Sequence, residues 1–146
     1  MSDQIKQLEA QLLWKQGLIQ QQQGQMSEAI QLYQRSIDLH PTAEAHTYMG
    51  WALSQDEGRI DEAIEACHKA IQVDPEFGNP YNDIGAYLLE MGQLDDAVPW
   101  LRMALKAKRY ESYCFPHFNL GRVFEGLDKL DVALEQNNFD ITIEEF

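Results

Sequence analysis

Two cysteines and four histidines are the side chains best equipped for covalent or metal chemistry in this sequence. Cys67 and His68 are adjacent, and neighbours in sequence point to different faces of a helix, so the imidazole is not placed to take the thiol proton. Cys67 also falls at an apolar packing position, where a buried structural thiol is expected. Cys114 starts a helix, where the dipole could lower a thiol pKa, but no base partner accompanies it. His46 and His117 hold equivalent positions in two similar segments and are expected to stack in the core rather than bind metal. The carboxylate pairs Asp61-Glu62 and Asp95-Asp96 stand at helix starts, where capping accounts for them. Phosphate-binding loops, HExxH and triad-like constellations are all missing from the sequence. The expectation is therefore a chain that is not an enzyme, with no catalytic residue, metal site or cofactor.

The charge balance narrows the partners. Eleven Lys and Arg stand against 24 Asp and Glu, a formal net charge of -13. Such a surface repels phosphate backbones and anionic lipid, so neither nucleic acid nor membrane is expected as a partner. No uninterrupted apolar run approaches the ~20 residues a spanning helix needs. The opening MSDQIKQLEAQLLWKQ has no apolar signal core. Two cysteines make no disulfide framework, which points to a reducing, cytoplasmic location. With 146 residues, 45% of them hydrophobic, the chain can form one compact domain or one short repeat array.

Spacing selects the array. Ala29, Ala63, Ala97 and Ala133 are 34, 34 and 36 residues apart. Gly17, Gly50, Gly85 and Gly121 precede them by 12, 13, 12 and 12 residues, and Pro41 and Pro75 are again 34 apart. In LDDAVPWLRMALKA, residues Leu94, Ala97, Val98, Leu101, Ala104 and Leu105 form one apolar stripe at helical spacing. Gly24, Gly58 and Gly92 fall between successive stripes, where a left-handed residue ends a helix, and Asp128 replaces them in the fourth segment. Helices are predicted at about 3–22, 26–39, 43–55, 60–72, 78–91, 95–108, 114–126 and 129–137, the first capped by Ser2 or Asp3.

The chain resembles the tetratricopeptide repeat family. The resemblance rests on Leu13, Gln16-Gly17, Gln20, Ala29, Tyr33, Ser36 and Pro41, and on His46, Met49-Gly50, Leu53, Ala63, Cys67, Ala70 and Pro75. A third set follows in Tyr81, Ile84-Gly85, Leu88, Ala97, Leu101 and Ala104, with Arg109 where proline is expected. The fourth, His117, Leu120-Gly121, Phe124 and Ala133, breaks down at Asn137 and Asp140. The resemblance implies an all-α, right-handed α-solenoid of about four helical hairpins. The array would span 1–137, with repeats at about 10–43, 44–77, 78–111 and a degenerate 114–146, and 138–146 would be a tail.

It also implies a protein-interaction module that holds a peptide segment or protein partner in a concave groove, as an adaptor or scaffold. Carried over by position, the groove would be lined by the first helix of each repeat: Gln11, Trp14, Leu18 and Gln21; Glu44, Thr47, Trp51 and Ser54; Asn79, Asn82, Ala86 and Leu89; Phe115, Phe118, Arg122 and Glu125. The partner-binding set expected from these is Trp14, Leu18, Thr47, Trp51, Asn82, Phe118 and Arg122, because large aromatics supply area at little entropic cost and the Asn82 amide can pair with a peptide backbone. Domains that clamp a C-terminal carboxylate carry Lys and Asn where this chain has Trp14 and Leu18, so an acidic C-terminal motif is not the expected ligand. The basic residues Arg102, Lys106, Lys108 and Arg109 read as a dipole-matched helix end.

Two alternatives remain. One is a small cytosolic chaperone resembling those of bacterial secretion systems; the other is a self-assembling structural protein. After Ala133 and Leu134 the sequence EQNNFDITIEEF offers no polar capping helix, so three outcomes are expected for the end of the array: a second chain covers it, as a homodimer through the C-terminal repeat, the tail folds back over it, or the tail is mobile.

Overall fold

The computed structural model describes residues 2–56, 58–110 and 114–133. These form seven α-helices: α1 Asp3–Gln22, α2 Met26–Leu39, α3 Ala43–Ser54, α4 Ile60–Val73, α5 Asn79–Glu90, α6 Leu94–Lys106 and α7 Cys114–Ala133. The chain is an all-α repeat solenoid. α1 packs on α2, α3 on α4 and α5 on α6 as hairpins, while α1, α3, α5 and α7 lie in sequence against one another.

Each hairpin closes where the repeat phase places small residues. Ala29, Ala63 and Ala97 are fully buried, as are Tyr33, Cys67 and Leu101 one turn on and Ser36, Ala70 and Ala104 after them. Gly17 and Gly85 let the paired helices touch: a Cβ on Gly17 would stand 2.5 Å from the Tyr33 ring, and one on Gly85 2.5 Å from Leu101. Ser36 is paired despite its burial, donating to the Ala10 carbonyl at 2.7 Å. Ser2 caps α1 as expected, its hydroxyl accepting from the Ile5 amide.

The turns depend on glycine. Gly24 and Gly92 have φ of 81° and 79°. In each, the next residue donates back five positions (Gln25 to the Gln20 carbonyl, Gln93 to Leu88) and so satisfies the helix end. The fourth segment differs from expectation at this point. Asp128 sits where glycine would, and α7 runs unbroken past it to Ala133 instead of stopping near residue 126. A left-handed aspartate costs ~1–2 kcal/mol more than glycine, whereas continuing the helix keeps the backbone hydrogen bonds. Gly126 permits this long helix to lie on the third hairpin, since a Cβ there would meet Leu94 at 2.8 Å. Leu120, Val123 and Leu127 of α7 complete a buried cluster with Leu89, Ala97 and Leu101. Among the described residues, then, three hairpins are followed by one long helix that covers the third. The fold-back, the homodimer and the 138–146 tail concern a segment outside the described residues.

Candidate functional site

Helical geometry sorts the side chains of α1, α3 and α5 into those that build the stack and those left partly exposed on another side. On α3 the partly exposed series is Glu44, Tyr48 and Trp51; on α5 it is Asn79, Asp83 and Ala86. Steps of four and three residues keep each series on one face. Trp51 is 42% exposed and Phe118 66%, although both are large aromatics. Arg122 stands one turn beyond Phe118, also exposed.

The expected groove residues divide into three groups. Trp14 and Leu18 are half-buried, packed on the first core cluster with part of their surface still open. Trp51, Phe118 and Arg122 are exposed. Thr47 and Asn82 lie behind the wall: Thr47 is 1% exposed and donates its hydroxyl to the Ala43 carbonyl at 2.7 Å, and the Asn82 side-chain oxygen accepts from Asn119 at 3.0 Å, tying α5 to α7. The side chains one residue further on, Tyr48 and Asp83, take those places on the wall. The steps from Glu44 to Tyr48 and from Asn79 to Asp83 are each four residues, and that was the available signal.

Trp14 and Tyr48 bring α1 and α3 together, with ring centroids 5.3 Å apart and planes tilted by 42°. Beside them Gln7, Gln11, Trp14, His40, Thr42 and Glu44 line a hollow of about 260 Å³. Burial pushes the Tyr48 phenol above its usual range, and the charges of Glu44 and Asp83 add to this. Asp83 is crowded by protein although part of its surface stays open, and that desolvation pushes its carboxyl up to about 7, against a hydrogen bond from Asn82 that favours the charged form. This partly exposed series is therefore aromatic and acidic, with Arg109 paired to Glu44 at its edge.

Other groups expected to be inert or basic can now be placed. Cys67 is buried and its thiol is raised well above the usual value by desolvation, then by Asp83, so it is a core group and a poor nucleophile. His46 is half-buried, and burial and then Lys69 lower its pKa. His117, expected in the core, is exposed instead, because no second helix packs across this part of α7 among the described residues. α6 ends at Lys106, whose charge suits the helix dipole. Arg109 has a different task. Its guanidinium reaches Asp74 at 2.8 Å and Glu44 at 3.4 Å and lies 4.4 Å over the Phe77 ring. Its backbone amide donates to the Glu76 carbonyl, and its carbonyl accepts from Gly78. A position where the repeat usually has proline thus holds three segments together. Among the described residues no group of three or more His, Cys, Asp and Glu could hold a metal ion, and no helix is long and apolar enough to cross a membrane.

Residues 11–43 and 54–113 each match a family model described as tetratricopeptide repeat. The chain belongs to the tetratricopeptide repeat family. Among curated relatives it is 29% identical over 83 residues to a tetratricopeptide repeat-containing thioredoxin, TTL4, of Arabidopsis thaliana, covering 57% of this chain and 12% of that protein. It is 31% identical over 70 residues to small glutamine-rich tetratricopeptide repeat-containing protein 2 of Mycosarcoma maydis, covering 48% of this chain and 20% of that one. The chain therefore spans a fifth or less of these relatives' length. Among solved structures, the Sgt2 tetratricopeptide domain from Aspergillus fumigatus superposes with a TM-score of 0.75 at 18% identity, over 92% of this chain and 89% of that one. The first such domain of Spaghetti (RPAP3), bound to the HSP90 peptide SRMEEVD, gives 0.73 at 20% identity, over 83% and 97%. At these identities the likeness carries the fold.

Proposed function

We propose that this chain is a protein-interaction module, an adaptor or scaffold in the cytoplasm, that holds an extended segment of a partner protein along the inner face of α1, α3, α5 and α7. The observation that carries the reading is the exposure of Trp51 and Phe118, large aromatics on the helices that line that face. Exposed aromatics in a row of otherwise well-packed helices mark a contact surface. Trp14, Leu18 and Tyr48 supply the apolar wall beside them, and Arg122 supplies a donor at the α7 end. Thr47 and Asn82 hold the wall from behind.

The RPAP3 domain with its bound SRMEEVD peptide supports a peptide as the ligand class. The wall in this chain argues for different ligand chemistry. Trp14 and Leu18 bring no cation to a carboxylate, and Glu44, paired with Arg109, and Asp83, once ionised, leave the net charge beside them negative. The segment that fits carries apolar side chains for the aromatics and a Lys or Arg for the acids, which also gains from cation–π contact. Tryptophan fluorescence titrated with two peptides tests this: SRMEEVD with a free C-terminus, and SRMKKVL with an amidated one. The amidated basic peptide should bind more tightly, and Trp51→Ala with Phe118→Ala should abolish the difference. Tighter binding of SRMEEVD would refute the proposed ligand chemistry, and an unchanged response in the double variant would refute the face.

A further inference from the structure

The end of a repeat array normally turns a polar surface outward. α1, the first described helix, turns an apolar one outward. Ile5, Leu8, Leu12 and Ile19 are 53%, 62%, 60% and 52% exposed, and steps of three, four and seven residues put them on a single stripe. This stripe lies across the helix from Ala10 and Gly17, which are buried against α2. α1 thus carries apolar residues on two opposite faces, only one of which is used among the described residues.

We propose that this outer stripe pairs with the same stripe of a second copy, antiparallel about a twofold axis near Leu12. The spacing is self-complementary: Ile5 and Ile19 are each seven residues from Leu12, so reversal sets Ile5 of one copy on Ile19 of the other. Isologous contact of this kind covers both stripes at once. Charge permits it. The chain is strongly acidic as a whole, but α1 holds Asp3 and Glu9 against Lys6 and Lys15. On one flank of the stripe, Glu9 of each copy comes level with Gln16 of the other, and the amide can donate to the carboxylate. On the opposite flank the Lys15 stem covers Leu8 of the other copy. The four apolar side chains expose roughly 400 Å² per copy, so with the flanking polar residues the pair would bury about 1,000 Å² in total, near the lower limit for a specific interface. A weak, concentration-dependent dimer follows. This inference does not depend on the peptide reading of the inner face.

Sedimentation equilibrium of the full chain tests it. Mass should rise from monomer to dimer as concentration increases and stop there. Leu12→Glu should hold the chain as a monomer with unchanged helix content, since that side chain is exposed. Gln16→Glu should raise the dimer dissociation constant about tenfold and Gln16→Lys should lower it by a similar factor, because each change acts twice across the axis. Adding Glu9→Lys to Gln16→Glu should restore association. A monomer at every concentration overturns the proposal. So does a mass that climbs past the dimer, as a head-to-tail stack would, or a dimer that survives Leu12→Glu. Gln16→Glu and Gln16→Lys changing affinity in the same direction would also overturn it.

Discussion

Replacing Asp83 by Asn should stabilise the fold at neutral pH and leave it nearly unchanged in mild acid. The carboxyl, ordinarily near 3.8, is pushed up to about 7 in the folded chain, chiefly by burial. Between those values the native state holds a proton that the unfolded chain has released. Stability therefore falls as pH rises through that window. The contribution is fully present below about pH 4 and is lost once Asp83 ionises in the folded state near pH 7. At ~1.4 kcal/mol per pH unit, a shift of this size sets a ceiling of about 4 kcal/mol. Asp83 keeps part of its surface in solvent, so the expected difference between parent and Asp83→Asn is about 1–2 kcal/mol at pH 8 and under ~0.5 kcal/mol at pH 4. Urea midpoints of both chains, measured from pH 4 to 8 and subtracted, isolate this group from the other carboxylates. A constant difference across the range, or an Asp83→Asn chain that is weaker at pH 8, would sink the reasoning. If Asp83 also meets a cation of the partner, the same variant should bind the basic peptide more weakly, so stability and binding would move in opposite directions.

Trp14 and Trp51 should separate in experiment. Trp51→Ala should lower the melting temperature little and weaken peptide binding, whereas Trp14→Ala, which strips a ring from Tyr48 and the first core cluster, should cost ~2–3 kcal/mol as well; equal melting temperatures would contradict this. Ala97→Leu, at a position with no exposed surface beneath Gly85, should cost ~1–3 kcal/mol by overpacking, and a thermal melt no lower than the parent's would show the repeat phase to be misplaced. Gly92→Ala has room for its methyl group but keeps a φ of 79°. It should cost ~1 kcal/mol through backbone strain alone, which chemical denaturation can resolve; a neutral outcome would mean that the turn relaxes.

Local rules explain what was legible in the residues. The 34-residue phase places Ala29, Ala63 and Ala97 in the core because every hairpin needs a small residue where its helices approach, and glycine at residues 24, 58 and 92 marks turns that other residues pay to enter. The unbroken α7 was harder to foresee. It depends on whether Asp128 turns or continues, a difference of a kcal/mol or so, settled by Leu120, Val123 and Leu127 packing on the third hairpin. The partly exposed series falls one residue beyond Thr47 and Asn82 because a repeat position specifies a sector of the helix, and neighbours only 100° apart can divide it. Arg109 was visible as a departure from proline, but its partners Glu44 and Asp74 are 65 and 35 residues away in sequence, beyond the reach of any periodic pattern.

Arg109 has a consequence for how the array comes apart. A solenoid with contacts only between successive units behaves as a one-dimensional chain, able to fray from either end one unit at a time. Here a residue that follows the third hairpin grips the start of the second at Glu44 and its end at Asp74. Opening either hairpin breaks the same ionic knot, so the second and third should open as one cooperative block. α1 and α2 lie outside that block. Amide hydrogen exchange should then show α3 to α6 sharing one protection level while α1 and α2 exchange sooner. With Arg109→Ala the block should resolve into two steps. Fraying would begin at the face where Trp14 meets Tyr48, and a bound partner that spans this junction would add to the apolar coupling already there.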